Sequence, residues 1–201
     1  MAMSHIVYAD KYCKKYATPQ PKEDFYLGVN FPDIRRVANI SRADTHLCFN
    51  PLDLDFSGMD AFQSGWKFHV WADLRRNELL RDAEFFEIDI VRKAHYLSYF
   101  FLEDELNWRR YHNWETISNL YRDAPYKQIV EGVNKSEWRY WYEILSEYFM
   151  QEPDENAVGR VLGKMTGLGH LRVRVIDEIK KLRKNKNVVQ ILETIQAQMI
   201  M

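Results

Sequence analysis

Apolar side chains along this chain return at three- and four-residue intervals, and no segment settles into sustained strict alternation. A period near 3.6 lines such residues along one stripe of a helix, whereas a half-buried strand needs a period of two. The expected fold is therefore all-α, a single multi-helix domain. The pattern is clearest from Met59 to Arg81, where Phe62, Trp66, His69, Val70, Asp73 and Leu74 share one face. That face mixes apolar residues with residues able to bind a metal.

Punctuation residues divide the rest. Ser4 is placed to cap a first helix running to about Ala17, which Thr18-Pro19-Gln20-Pro21 stops. A short helix from about Glu23 to Asn30 should end before Pro32, because the residue preceding a proline is driven out of the helical region, and this leaves Asp33 at a helix-to-loop corner. Between Ile34 and Gly58, the turn signals Asn39, Asn50-Pro51 and Ser57-Gly58 predict a long ordered loop with short helical turns. Further helices are predicted over Met59–Arg81, Glu87–Trp114, Glu115–Arg122, Pro125–Gly132 and Ser136–Met150. After Pro153 come a helix to Met165, a break at Gly167-Leu168-Gly169, a helix to Lys184 and a last one from Asn187. Residues 1–150 are expected to form the helical domain that carries the site, with 151–201 as C-terminal helices packed on it.

Charge narrows the function classes. With 28 basic and 29 acidic residues the net charge is −1, so no overall field draws the molecule to nucleic acid or to an anionic membrane. The basic stretch Arg172 to Lys186 reads as a solvated helix face, and nucleic acid is not an expected partner. Cys13 and Cys48 lack CxxC spacing and read as reduced thiols. No signal-like leader is evident and no segment nears the ~18 apolar residues that span a bilayer. A cytoplasmic protein without membrane insertion is the expectation. The aromatic cluster Trp138-Arg-Tyr-Trp-Tyr142 reads as core or interface, which leaves homo-oligomerisation open.

The chemistry concentrates in the first third. His69-Val-Trp-Ala-Asp73 sets an imidazole and a carboxylate one turn apart on one helical face, where both reach a single ion. A catalytic zinc site needs about three or four such donors and an open position. Asp33 at its corner and His46, ending Arg42-Ala-Asp-Thr-His46, are the candidates to complete it. Each has a plainer reading: a hydrogen-bonded core histidine for His69, a turn starter for Asp33, a capping feature for His46. Order and spacing are what distinguish the set.

Gly28-Val-Asn-Phe-Pro-Asp-Ile34, then Thr45-His46, then Phe68-His69 through Asp73, preceded by His5, resembles the zinc-dependent phospholipase C-like family of all-helical phosphoesterases. The resemblance spans roughly residues 3 to 75. It implies that His5, Asp33, His46, His69 and Asp73 are metal ligands, with zinc as the metal; iron or manganese also suits such donors. His95 is followed at the matching spacing by Tyr99, so the further ligands of a multi-metal cluster are not reproduced. A mononuclear centre of Asp33, His46, His69 and Asp73 would instead resemble the histidine-aspartate phosphohydrolases. The activity implied is hydrolysis of a phosphoester (a nucleotide, a small phosphorylated metabolite or a phospholipid head group) by a metal-bound hydroxide. Arg36, Arg75 and Arg76 are expected to hold the substrate phosphate, with Arg35 and Arg42 also beside the ligands; the plainer reading is surface arginines paired to Asp44, Glu78 or Asp82. The alternative function is a non-catalytic helical interaction or regulatory module that keeps the fold and a structural metal.

Overall fold

Helix α2 (Lys22–Asn30) and helix α4 (Ala61–Asp82) touch backbone to backbone, and the site is arranged about that contact. The computed structural model describes residues 2–50 and 52–200. A Cβ on Gly28 would lie 2.0 Å from the Phe62 carbonyl oxygen, and a Cβ on Gly65 would lie 2.0 Å from that of Phe25. Each glycine thus makes room for the other helix, which nothing larger could do. Around the crossing, Phe25, Phe31, Phe62, Trp66 and Phe68 pack ring against ring in the buried core.

The last turn of α2 runs out of intrahelical partners for its carbonyls. Aromatic tips from the second half of the chain supply them. Tyr121 donates to the Tyr26 carbonyl at 2.8 Å, Tyr142 to Leu27 at 2.7 Å and Trp141 to Asn30 at 3.0 Å. Trp138, Trp141 and Tyr142 are therefore core residues of α8 (Lys135–Phe149).

Among the described residues the structure is all-α, with eleven α-helices, three 3-10 turns and no strand. Helix α1 (Ala2–Lys15) packs on α2, α4 and α6 (Tyr96–Trp108). Ser4, expected as its cap, lies inside it. The cap is Asp104 of α6, whose Oδ1 accepts from the Ser4 backbone N–H at 2.9 Å and its hydroxyl at 2.8 Å. After α2 a 3-10 turn (Phe31–Arg36) carries Asp33, and α3 (Arg42–His46) is closed by a capping box between Ser41 and Asp44. The loop that follows is clasped to α4 by buried Lys67, which donates to Asp53 Oδ1 at 2.6 Å and to the Asp55 carbonyl at 2.7 Å. Of the turn expected at Asn50-Pro51, Pro51 lies outside the described residues.

Two predicted helices are corrected. The single helix Glu87–Trp114 is broken into α5 (Asp89–Lys93) and α6, with Ala94 and His95 extended between them. Glu178 holds that break open: its carboxylate accepts from the His95 backbone N–H and from the Ser98 hydroxyl, both at 2.7 Å. Helix α6 then ends at Trp108, and α7 (Trp114–Arg122) starts separately. Pro125–Gly132 is not helical. Tyr126 is anchored to the Val133 carbonyl, Lys127 pairs with Asp24 of α2, and Gly132 turns at φ +92°.

The chain closes with α9 (Glu155–Lys164), α10 (Arg172–Lys184) and α11 (Lys186–Gln198). Helix α10 lies on α6 and α9, and α11 reaches α4 and α6. Part of the basic face of α10 pairs with acidic groups, Arg183 with Glu105, Lys180 with Glu155, and Arg174 with Glu178 of the same helix. Among the described residues no helix is long and apolar enough to cross a membrane.

Candidate metal centre

Five side chains from four elements converge at one end of the α2–α4 contact. His5 comes from α1, Asp33 from the 3-10 turn after α2, His46 from the last position of α3, and His69 and Asp73 from α4. Asp73 is the hub. Its Oδ1 lies 3.2 Å from His5 Nε2, and its Oδ2 lies 3.7 Å from His46 Nε2 and 3.8 Å from His69 Nε2. His5 stacks on His69 with ring centroids 3.9 Å apart, and His46 meets His69 edge-on at 5.3 Å. Donor atoms of His5, His69 and Asp73 lie within 4.8 Å of one another, as do those of Asp33, His46 and His69. The five predicted ligand positions are thus brought together.

Hydrogen bonds at Nδ1 set the orientation of two of the imidazoles, His46 and His69. His69 Nδ1–H donates to the Val29 carbonyl at 2.7 Å, a contact that the glycine-mediated approach of α2 and α4 makes reachable. With Nδ1 protonated, Nε2 presents its lone pair to the cluster. His46 Nδ1 lies 2.8 Å from the Thr45 hydroxyl, and the Thr45 carbonyl accepts from Trp66 Nε1 at 2.6 Å, so the Thr-His turn is fixed to α4. The Nε2 atoms of His46 and His69 are buried without a hydrogen-bond partner. Buried nitrogens in that condition are costly unless something accepts their lone pairs.

The donor set fits a divalent ion. Ligands bound at about 2.1 Å in a tetrahedron stand about 3.4 Å apart, close to the separations around Asp73. Three imidazoles with two carboxylates suit zinc, iron or manganese. His69 belongs to both three-residue groups and has one nitrogen, Nε2, left for an ion, so it can serve only one of the two groups at a time.

Electrostatics hold Asp33, His46, His69 and Asp73 in their coordinating forms. Burial pushes the His46 imidazole down to about 4, with Asp33 opposing and Arg42 adding to the shift. Burial, with His5 next to it, keeps His69 well below the ordinary imidazole range. For Asp33 and Asp73 burial acts upward. It is outweighed for Asp33 by His69 and Arg36, and for Asp73 by His5 and His69, and both stay below the usual carboxylate range.

These shifts carry a sign. A histidine whose folded value lies near 4 and whose unfolded value is about 6.5 sheds its proton on folding. Its contribution is complete above about pH 6.5 and is lost as pH falls through 4. For His46 this amounts to about 3 kcal/mol, and His69 adds in the same direction. Urea denaturation of the chelator-treated protein is expected to show stability falling by at least that amount from pH 7.5 to 4, and His46→Gln to flatten the profile.

The predicted phosphate-binding arginines divide. Arg36 is at the cluster, with Nε 3.8 Å from Asp33 Oδ1 and Nη2 donating to the Tyr96 hydroxyl at 3.1 Å. Arg75 is two residues beyond Asp73, about 200° round the helix. It pairs with Glu78 and lines a groove of about 560 Å³ against Ile191 and Ile195 of α11. Arg76 is 2% exposed and directs its guanidinium at Glu103, over the Phe100 ring. Neither is placed to meet a substrate at the cluster. The nearby carboxylates Glu103 and Asp104 are engaged by Arg76 and by Ser4.

Two features escaped the sequence reading. The Val29 carbonyl carries no side-chain signal, and Tyr96, which steadies Arg36, lies 60 positions away. Thr45 was legible as the residue before His46. No family model, curated protein or solved structure matches this chain, so its functional reading rests on the residues and geometry above.

Proposed function

We propose that the protein is a divalent-metal-dependent hydrolase of phosphoesters, with one ion held by Asp33, His46, His69 and Asp73, and His5 as a further ligand. The observation that carries this reading is the gathering of three imidazoles and two carboxylates in two overlapping groups that share His69, with the His46 and His69 Nε2 atoms buried without a hydrogen-bond partner. A structural zinc site is closed by four ligands, commonly including cysteine; here Asp33 and Asp73 are about one-fifth exposed, so the centre is open to small molecules. When bound, a divalent ion supplies acidification of water and polarisation of a phosphoryl oxygen. The protein's part is to keep His46 and His69 neutral and aimed, to keep both aspartates ionised, and to surround them with guanidinium groups. Likeness to the zinc-dependent phospholipase C or histidine-aspartate phosphohydrolase type, with zinc as the ion, belongs to this proposal.

Elemental analysis of the purified chain tests it. About one equivalent of zinc, iron or manganese is expected, together with hydrolysis of a chromogenic phosphoester. His46→Ala/His69→Ala should lose both while keeping its helical circular dichroism. A folded parent that takes up no metal after reconstitution would sink the hydrolase reading and leave the interaction module.

A further inference from the structure

Three guanidinium groups surround the donor cluster, although metal binding requires none of them. Arg35 and Arg36 follow Asp33 on its 3-10 turn, and Arg42 opens α3 one turn before His46. Arg35 Nη2 is 3.6 Å and Arg36 Nε 3.8 Å from Asp33 Oδ1, and Arg42 Nη2 is 3.8 Å from Asp73 Oδ2. Charge-assisted hydrogen bonds run at about 2.7–2.9 Å, so these contacts are attractions without hydrogen bonds. Other arginines here reach that range, as Arg109 with Glu152 and Arg183 with Glu105 do at 2.8 Å. The Arg35 Nε is buried with no hydrogen-bond partner, and the Arg42 side chain is 56% exposed at the rim. The three arginines therefore hold donor capacity that the carboxylates do not use.

Charge indicates what would use it. Two carboxylates and one divalent ion cancel, an imidazole that coordinates the ion adds no charge, and three guanidinium charges remain. A dianion answers that surplus better than a monoanion, and guanidinium forks match phosphate oxygens. A phosphate monoester presents a dianionic group near neutral pH, with a second ionisation at about 6, whereas a diester presents a single charge.

We propose that Arg35, Arg36 and Arg42 form a cradle for the dianionic phosphate of a monoester, which makes phosphate monoesters the substrate class. The inference rests on the metal-hydrolase reading. In the reaction, water adds to phosphorus, and the ester P–O bond breaks with its electron pair going to the ester oxygen. That oxygen takes up a proton, so the products are an alcohol and inorganic phosphate.

The test uses the full chain loaded with zinc, inorganic phosphate as the ligand, and para-nitrophenyl phosphate and bis(para-nitrophenyl) phosphate as substrates. Calorimetric titration is expected to show phosphate binding that weakens at least tenfold in Arg42→Gln and in Arg35→Gln at unchanged zinc content. Arg92→Gln, an exposed arginine paired with Asp89, should not alter it. In turnover, the monoester should be preferred, with the monoester-to-diester ratio of kcat/KM falling at least tenfold in Arg42→Gln. Should Arg35→Gln fail to fold, exposed Arg42 still carries the test. Phosphate binding indifferent to both substitutions, or a diester cleaved better than a monoester by the parent, would overturn the cradle while leaving the metal centre intact. Arginine-dependent phosphate binding in a chain that takes up no metal would support the cradle and defeat the hydrolase reading.

Discussion

Gly65→Ala is expected to cost more than about 4 kcal/mol and to remove the metal along with the stability. The added Cβ would sit 2.0 Å from the Phe25 carbonyl oxygen and 2.9 Å from the Val29 nitrogen. Neither atom belongs to a side chain that can swing aside. Helices α2 and α4 would have to separate by about an ångström or more, loosening the Phe25, Phe31, Phe62 and Trp66 contacts across a close-packed interior. Losses of this size come from a short list of causes, and overpacking against backbone is among them. The same separation would draw the Val29 carbonyl away from His69 Nδ1, and the imidazole would lose the bond that aims its Nε2. Gly28→Ala should behave alike, since its Cβ would meet the Phe62 carbonyl at the same 2.0 Å. Gly163→Ala supplies the contrast. That glycine lies inside α9 with open space beyond its Cα, and alanine there should stabilise by about 0.5–1 kcal/mol. Thermal melts and zinc content of the three variants check the whole set. A Gly65→Ala protein with parental melting and metal would refute the contact as the organiser of the site.

That contact also explains how much was legible beforehand. Helix α4 was readable because its apolar stripe is long and its ligands obey the same period, so Met59–Arg81 matches the observed Ala61–Asp82 closely. The end of α2 at Asn30 was readable, but its reason is corrected. Phe31 before Pro32 keeps helical dihedrals (φ −60°, ψ −43°), the chain departs from the helix at Asn30 (φ −109°, ψ 2°), and Asp33 lies within a 3-10 turn rather than at a helix-to-loop corner. Local rules fail where a distant side chain decides. The break at Ala94–His95 depends on Glu178, 83 residues away, and no periodicity in Glu87–Trp114 announces it. The capping of α1 by Asp104 spans 100 residues, and Ser4 looked sufficient because serine is a good cap wherever a helix begins. Among the arginines, Arg75 could have been set aside by its rotation around α4, but Arg76 and Arg36 could not be separated. Which of them meets solvent depends on where α6 supplies Glu103 and where Tyr96 lies.

Glu103→Gln is expected to destabilise the protein by about 3–5 kcal/mol while leaving its capacity for zinc in place. Arg76 and Glu103 are each about 2% exposed, with Arg76 Nε donating to Glu103 Oε2 at 2.6 Å and the Tyr8 hydroxyl donating to Oε1. Burial opposes the charged form of both residues, yet Glu103 stays below the usual carboxylate range because Arg76 and Tyr8 support it, and Arg76 is raised by Glu103. Each charge is tolerable only while the other is present. A neutral amide keeps the shape but strands the guanidinium in the core, and breaking a buried pair from one side costs far more than the pair is worth. Replacing both partners with apolar residues should recover most of the loss. Arg76→Met/Glu103→Leu is expected within about 2 kcal/mol of the parent, giving a coupling above about 2 kcal/mol in a double-mutant cycle measured by urea denaturation. Position gives the pair its meaning for the site. Tyr8 is one turn from His5 and Arg76 one turn from Asp73, so Glu103 ties together the two helices that carry those ligands without touching either. Full zinc stoichiometry in a destabilised Glu103→Gln, against none in a folded His46→Ala/His69→Ala, would separate the scaffold from the chemistry; additive single substitutions would mean that the pair is not one unit.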